Sequence, residues 1–228
     1  MNIISRVITI CERRSELVTK VYRNVCFGLL ALSGTCLFLH STFNIKFLFT
    51  LSRLALIPSI LIPMFAQFRI RKISDATATL LFYSYAISLG VLLCPMIYLI
   101  SSTQLLIAVL MTGGLFYTAM YISRNVEIKS TDLKLLNIGI LVLLAMSIAN
   151  LFLRLRTIEL LAAVCGMAVF VGLSAYEISE FEQANVRSNL NLNKISMVIS
   201  LSLLSKIINL FIYAVNFLRS IDGGRNRD

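Results

Sequence analysis

Forty-seven consecutive residues, Ala76 to Ile122, carry no charge. One helix of that length would measure roughly 70 Å at 1.5 Å per residue, more than twice the ~30 Å hydrocarbon core of a bilayer. The run therefore has to turn back on itself, and Ser101-Ser102 is the place where it can. Two membrane helices are predicted, Ala76–Ile100 and Thr103–Ile122, closed into a tight hairpin. Five more apolar segments of spanning length accompany them: Tyr22–His40, Phe47–Phe68, Leu135–Leu153, Ile158–Tyr176 and Ile195–Leu218. With 58% hydrophobic and 14% charged residues among 228, little chain is left for a soluble domain. The expected fold is an all-α membrane protein with seven transmembrane helices. A basic amphipathic segment at 1–20 precedes the membrane domain at 21–218, and a short tail follows at 219–228.

The last apolar segment adds the next constraint, because it carries Lys206 near its middle. A lysine facing lipid at that depth costs roughly 2.5–3.5 kcal/mol on the insertion scale. Ser202, Lys206, Asn209, Tyr213 and Asn216 recur at intervals of four, three, four and three, so a helix gathers them on one face. That stripe is predicted to face inward, with the other helices surrounding the seventh.

Basic residues set the orientation. Thirteen Lys and Arg fall on the side of the N-terminus and of the 69–72, 124–134 and 187–194 connections. Seven fall on the opposite side, three of them in the tail. The bias puts the N-terminus in the cytoplasm and, with seven spans, the C-terminus outside. Charged Glu12, Arg13, Arg14 and Glu16 interrupt the stretch where a cleavable leader would be apolar. The net charge of +10 is read as topology signals and contacts with anionic lipid head groups. It is not read as a nucleic-acid surface, because the basic residues are scattered through short loops. Five single cysteines and one histidine, His40, give neither a disulfide framework nor a zinc site. Pro58, Pro63 and Pro95 lie within spans and are expected to kink them. Gly113, Gly114, Gly166, Ala168, Gly172 and Ala175 are expected to allow close helix approach. Asn150 and Asn209 are expected to hydrogen-bond between helices.

Several motifs then resemble the Bax inhibitor-one family of multispan proteins, including its bacterial members. They are Tyr83-Ser84-Tyr85-Ala86-Ile87-Ser88-Leu89-Gly90, Leu115-Phe116-Tyr117-Thr118-Ala119-Met120-Tyr121 and Thr131-Asp132-Leu133. Further along come Ala149-Asn150-Leu151-Phe152, Ala175-Tyr176-Glu177 and Ile207-Ile208-Asn209-Leu210-Phe211. They follow the family's order between residues 21 and 218. The resemblance implies a seven-helix bundle whose last helix is central, and a pH-sensitive calcium leak. In the family the pathway is controlled by two aspartates, late in the sixth helix and in the seventh, with a latch arginine from the second. Two close carboxylates repel when both are ionised, so one takes up a proton as pH falls. The matching positions here are Glu177 and Lys206. The first substitution keeps the charge and the second reverses it.

The resemblance thus assigns Glu177, Lys206, Asn209 and Tyr213 to an ion pathway or gate, and Arg69 or Arg71 to the latch. Glu180 would join Glu177 in an acidic cluster, or sit with Glu182 in the solvated interface. A Glu177–Lys206 salt bridge in place of a carboxylate pair would weaken calcium conduction, its pH gate, or both. No cofactor is expected beyond weakly held Ca²⁺, and no metal ligands are assigned. The partners are the bilayer and an ion, calcium or proton, and protein partners are not identified. A non-conducting scaffold or regulatory protein is the alternative, with Lys206 purely structural. An enzyme is disfavoured, because no Ser/His, Asp/Asp or His/Asp set lies at membrane depth. A transporter built from inverted repeats is disfavoured by the lack of clear halves. The short loops point to a bacterial inner membrane.

Overall fold

The computed structural model describes residues 3–69, 74–127, 130–153, 155–183 and 191–222. The side chains of 3–11, 67, 69, 130 and 151 lie outside that description. Seven α-helices follow one another: α1 Ile3–Thr42, α2 Ile45–Arg69, α3 Asp75–Tyr98, α4 Ser102–Asn125, α5 Ser130–Leu153, α6 Arg156–Gln183 and α7 Leu192–Asp222. Every one is long and apolar enough to cross a membrane. The hairpin breaks at the serines as expected. Ser101 caps α4, accepting from the Gln104 backbone N–H at 3.2 Å, while the Gln104 side chain accepts from the Ser101 N–H at 3.1 Å. This reciprocal capping box satisfies two backbone donors that the turn would otherwise leave unmet. Three helices run past the apolar segments that define them. The basic stretch 1–20 is continuous with the first span in α1, α6 continues past Tyr176 to Gln183, and α7 ends at Asp222. Pro58, Pro63 and Pro95 lie inside α2 and α3 without ending them.

The chain forms two compact units, Met1–Ile100 with Phe181–Leu204, and Ser101–Glu180 with Ser205–Asp228. In the first, α3 packs against both α1 and α2. Phe82, Leu93 and Cys94 of α3 are fully buried, as are Leu17 and Val21 of α1 and Leu48 of α2. Polar groups tie α1 to the start of α7. Lys20 donates to Asn193 Oδ1 at 2.8 Å, Asn24 to Ser196 Oγ at 3.3 Å, and the Ser200 hydroxyl to Val21 O at 3.1 Å. His40, exposed at the end of α1, tilts against Tyr98 with ring centroids 5.0 Å apart.

In the second unit, small residues bring α5 and α6 together. A Cβ on Gly172 would lie 2.6 Å from Leu136, and one on Gly139 would lie 2.8 Å from Val169. Ala175 is fully buried. The packing role predicted for Gly113, Gly114 and Ala168 does not hold. The two glycines have no atom within 4 Å of where a Cβ would be, and Ala168 is exposed. These three lie on outer faces, where small size brings no neighbour closer.

The helices differ sharply in exposure. Almost every side chain of α5 from Thr131 to Ile148 is exposed or half-exposed, and Leu143 is the buried one. Leu135, Ile138, Leu141, Leu144 and Ile148 are each more than half exposed. Such a surface suits hydrocarbon, not water. In α7, by contrast, no residue from Lys194 to Leu218 is exposed. The seventh helix and α3 are the most buried of the seven.

Candidate functional site: the ion pair of the last two helices

The polar stripe of α7 does not occupy its most buried face. Leu203, Leu204, Leu210, Ala214 and Val215 are almost completely buried, whereas Ser202, Lys206, Asn209, Tyr213 and Asn216 are half-buried. The apolar residues fill the close-packed contacts, and two members of the stripe, Tyr213 and Asn216, line a cavity.

Within the second unit, Lys206 Nζ forms a salt bridge and hydrogen bond with Glu177 Oε2 of α6. The two side chains are 18% and 17% exposed, so the charges are largely removed from solvent. Such a pair is held by mutual neutralisation, since either charge alone at that depth is costly. One turn beyond Glu177, Glu180 is exposed and accepts from the Tyr176 hydroxyl at 2.9 Å. It belongs to the interface end of α6 and not to the Lys206 pair. Of the latch candidates, Arg71 falls outside the described residues, and Arg69 ends α2 with its side chain outside them.

From Lys206 the stripe runs two turns along α7 to Tyr213. This ring lies directly over Gly166 of α6, where a Cβ would come within 2.5 Å of it, and it packs against Phe170 at 5.6 Å between centroids. Only glycine lets the tyrosine lie so close to the α6 backbone. Beyond Tyr213 opens a cavity of about 380 Å³ lined by Ser147 and Asn150 of α5, Glu159, Ala162 and Ala163 of α6, and Tyr213 and Asn216 of α7. Sequence reasoning placed Tyr213 and Asn216 on the stripe but missed Ser147 and Glu159 as their neighbours. The interhelical hydrogen bonds expected of the two asparagines are absent among the described residues. Asn150 Oδ1 is buried without a hydrogen-bond partner, and Asn150 is among the residues that line the cavity. Asn209 is half-buried with no described side-chain bond. Among the described residues no cluster of three or more His, Cys, Asp or Glu could hold a metal.

At the end of α7, Arg156 donates to the carbonyl oxygens of Ser220 and, at 2.8 Å, Ile221. Gln104 donates to Asp222. A cation on the unmet C-terminal carbonyls of a helix complements its dipole and fixes where it stops.

Seven helices long and apolar enough to cross a membrane, the last two joined by a largely buried ion pair, describe a multi-pass membrane protein. The family model for the inhibitor of apoptosis-promoting Bax1 matches residues 14–223. The chain belongs to that family. It is 27% identical over 153 residues to an uncharacterized protein of Borreliella burgdorferi, covering 65% of this chain and 66% of that one. It is also 26% identical over 148 residues to the inner membrane protein YbhL of Escherichia coli, covering 63% of each. The chain thus spans just under two thirds of the length of each of these relatives.

Proposed function

We propose that this protein is an ion-pathway member of the family in which a Glu177–Lys206 salt bridge stands where a carboxylate pair would gate calcium. The observation that carries the reading is that salt bridge, formed between largely buried side chains of α6 and α7. A carboxylate pair offers two oxygen-rich ligands and one exchangeable proton. With lysine as one partner, the ammonium already neutralises the acid and repels an entering cation. Conduction of calcium is therefore weak, and the carboxylate-pair pH gate is missing. The stripe of Asn209, Tyr213 and Asn216 supports a polar path leading from the pair toward the cavity. The short loops, the basic bias and the similarity to an inner membrane protein support a bacterial inner membrane, with the N-terminus in the cytoplasm. The same fixed positive charge also favours a second reading, a regulatory or scaffold protein that conducts nothing.

Calcium flux into liposomes, measured across pH, tests both. The wild type is expected to leak slowly, with little change across pH. Lys206→Asp restores a carboxylate pair and is expected to raise the flux about tenfold or more, with a new pH dependence where the pair takes up its shared proton. Wild-type flux as fast as that of carboxylate-pair relatives, and indifferent to Lys206→Asp, would overturn the reading. If Glu177→Gln abolishes co-purification with a protein partner while flux stays unchanged, the scaffold reading replaces it.

A further inference from the structure

The cavity beside Tyr213 has a chemistry that the ion pair does not use. Its polar lining residues are Glu159, Asn150, Asn216, Tyr213 and Ser147, each of which carries a side-chain oxygen. The Ser147 hydroxyl donates to Leu143 O at 2.8 Å, which leaves its lone pairs available. Asn150 Oδ1 is a buried acceptor with no donor. A buried acceptor of this kind is satisfied by a donor or by a positive charge. Glu159 makes no ion pair among the described residues, and Arg156, three residues before it, is committed to the α7 carbonyls. The polar side chains come from three helices: Ser147 and Asn150, one turn apart on α5, Glu159 on α6, and Tyr213 and Asn216, one turn apart on α7. A volume of about 380 Å³ holds on the order of ten waters, at ~30 Å³ each. That is room for a cation with most of its hydration shell.

We infer that this cavity is a binding site for a hydrated inorganic divalent cation, with Glu159 supplying the charge and Asn150 a direct or water-bridged oxygen. Hard cations take carboxylate, amide and hydroxyl oxygens together with water, and a single carboxylate makes the site weak and exchangeable. The site lies at the opposite end of α6 from Glu177, and Tyr213 stands between the cavity and the Lys206 pair along α7. Binding here does not depend on conduction. A protein that passes no ion would still hold one, so failure of the flux reading leaves this site standing. The rival role for Glu159 is structural, an acid in the first turn of α6 complementing the helix dipole.

The chain has no tryptophan, so Tyr213 is placed to sensitise a lanthanide bound in the cavity. The full-length protein in a maltoside detergent, which carries no ammonium group, is titrated with Tb³⁺, and the tyrosine-sensitised emission is then displaced with Ca²⁺, Mg²⁺ or K⁺. Mn²⁺ binding is read separately by electron paramagnetic resonance. Glu159→Gln is expected to weaken Tb³⁺ and Mn²⁺ binding about tenfold or more, and Asn150→Ala severalfold, while Glu127→Gln, in an exposed connection, stays within about threefold of wild type. Tyr213→Phe should remove most of the sensitised emission, since the tyrosine ring is the sensitiser nearest the cavity. Emission indifferent to Glu159→Gln and Asn150→Ala in folded protein would overturn the site, leaving Glu159 its structural role. So would emission that survives Tyr213→Phe, or that K⁺ displaces as well as Ca²⁺ does. Should Glu159→Gln fail to fold, Asn150→Ala, which keeps the charge, decides the matter by the same readouts.

Discussion

A lysine at the middle of a membrane helix is stable only in company, and Lys206 finds that company in Glu177. Neutralising one member leaves the other's charge largely buried. For fully buried pairs that loss reaches roughly 3–5 kcal/mol. Because each side chain here keeps nearly a fifth of its surface, we expect about 2 kcal/mol for Glu177→Gln or Lys206→Met. The double variant Glu177→Gln with Lys206→Met should be less destabilised than the two losses summed, with a coupling of about 1–3 kcal/mol. Reversible unfolding in mixed micelles measures all four corners of the cycle. Losses additive to within about 0.5 kcal/mol would mean that the two charges do not support each other. The pairing was legible in part from the sequence: the burial cost of Lys206 demanded a partner, and the motif order named Glu177. Glu180, one turn further along α6, was an equally charged candidate in the sequence. Its exposure and its bond with Tyr176 separate it from the pair.

At the scale of helices, the sequence located all seven spans, because twenty apolar residues in a row have few other uses. It drew several helices too short, because charge ends a membrane span without ending a helix. α1, α6 and α7 all continue through charged turns that still hydrogen-bond internally. Small residues were legible as a class but not by position. Gly166 and Gly113 look alike in the sequence, yet one lies under a tyrosine ring and the other faces open space. The difference gives a paired prediction. Gly166→Val should destabilise the protein by about 1–3 kcal/mol through overpacking, and Tyr213→Ala in the same chain should relieve much of that loss. Gly113→Ala should be neutral or stabilising by up to about 1 kcal/mol, since it removes backbone freedom and meets nothing. Thermal unfolding of the three variants beside the wild type checks the pair. A Gly113→Ala loss as large as that of Gly166→Val would show that the close approach of Tyr213 is not what glycine serves. The cavity was illegible for the same reason: Ser147, Asn150, Glu159 and Asn216 each look ordinary on their own helix, and only tertiary placement brings their oxygens to one space.

For the whole molecule, the contrast between α5 and α7 is what a bilayer imposes. Without water to drive apolar faces together, a lipid-facing helix can remain apolar all round, and polar side chains collect on the helix that lipid does not touch. α5 exposes leucine and isoleucine on nearly every face, while α7 carries Ser202, Lys206, Asn209 and Asn216 with no exposed residue over more than three turns on either side of Lys206. Seven crossings together with the proposed orientation predict which connections share a side. Asn44 between α1 and α2 and Leu155 between α5 and α6 are exposed connection residues, as is Glu127 after α4. Three helices separate Asn44 from Glu127, and one separates Glu127 from Leu155. In a variant lacking the five native cysteines, a membrane-impermeant thiol reagent should therefore label Asn44→Cys and Leu155→Cys from one side and Glu127→Cys from the other. The proposed orientation makes the Glu127 side the cytoplasmic one, as the positive-inside bias of the flanking Arg124, Lys129 and Lys134 implies. Labelling of all three from one side would contradict the number of crossings. The alternating pattern with its sides exchanged would keep the seven spans and overturn the orientation, placing the cavity end of α6 toward the cytoplasm instead of away from it.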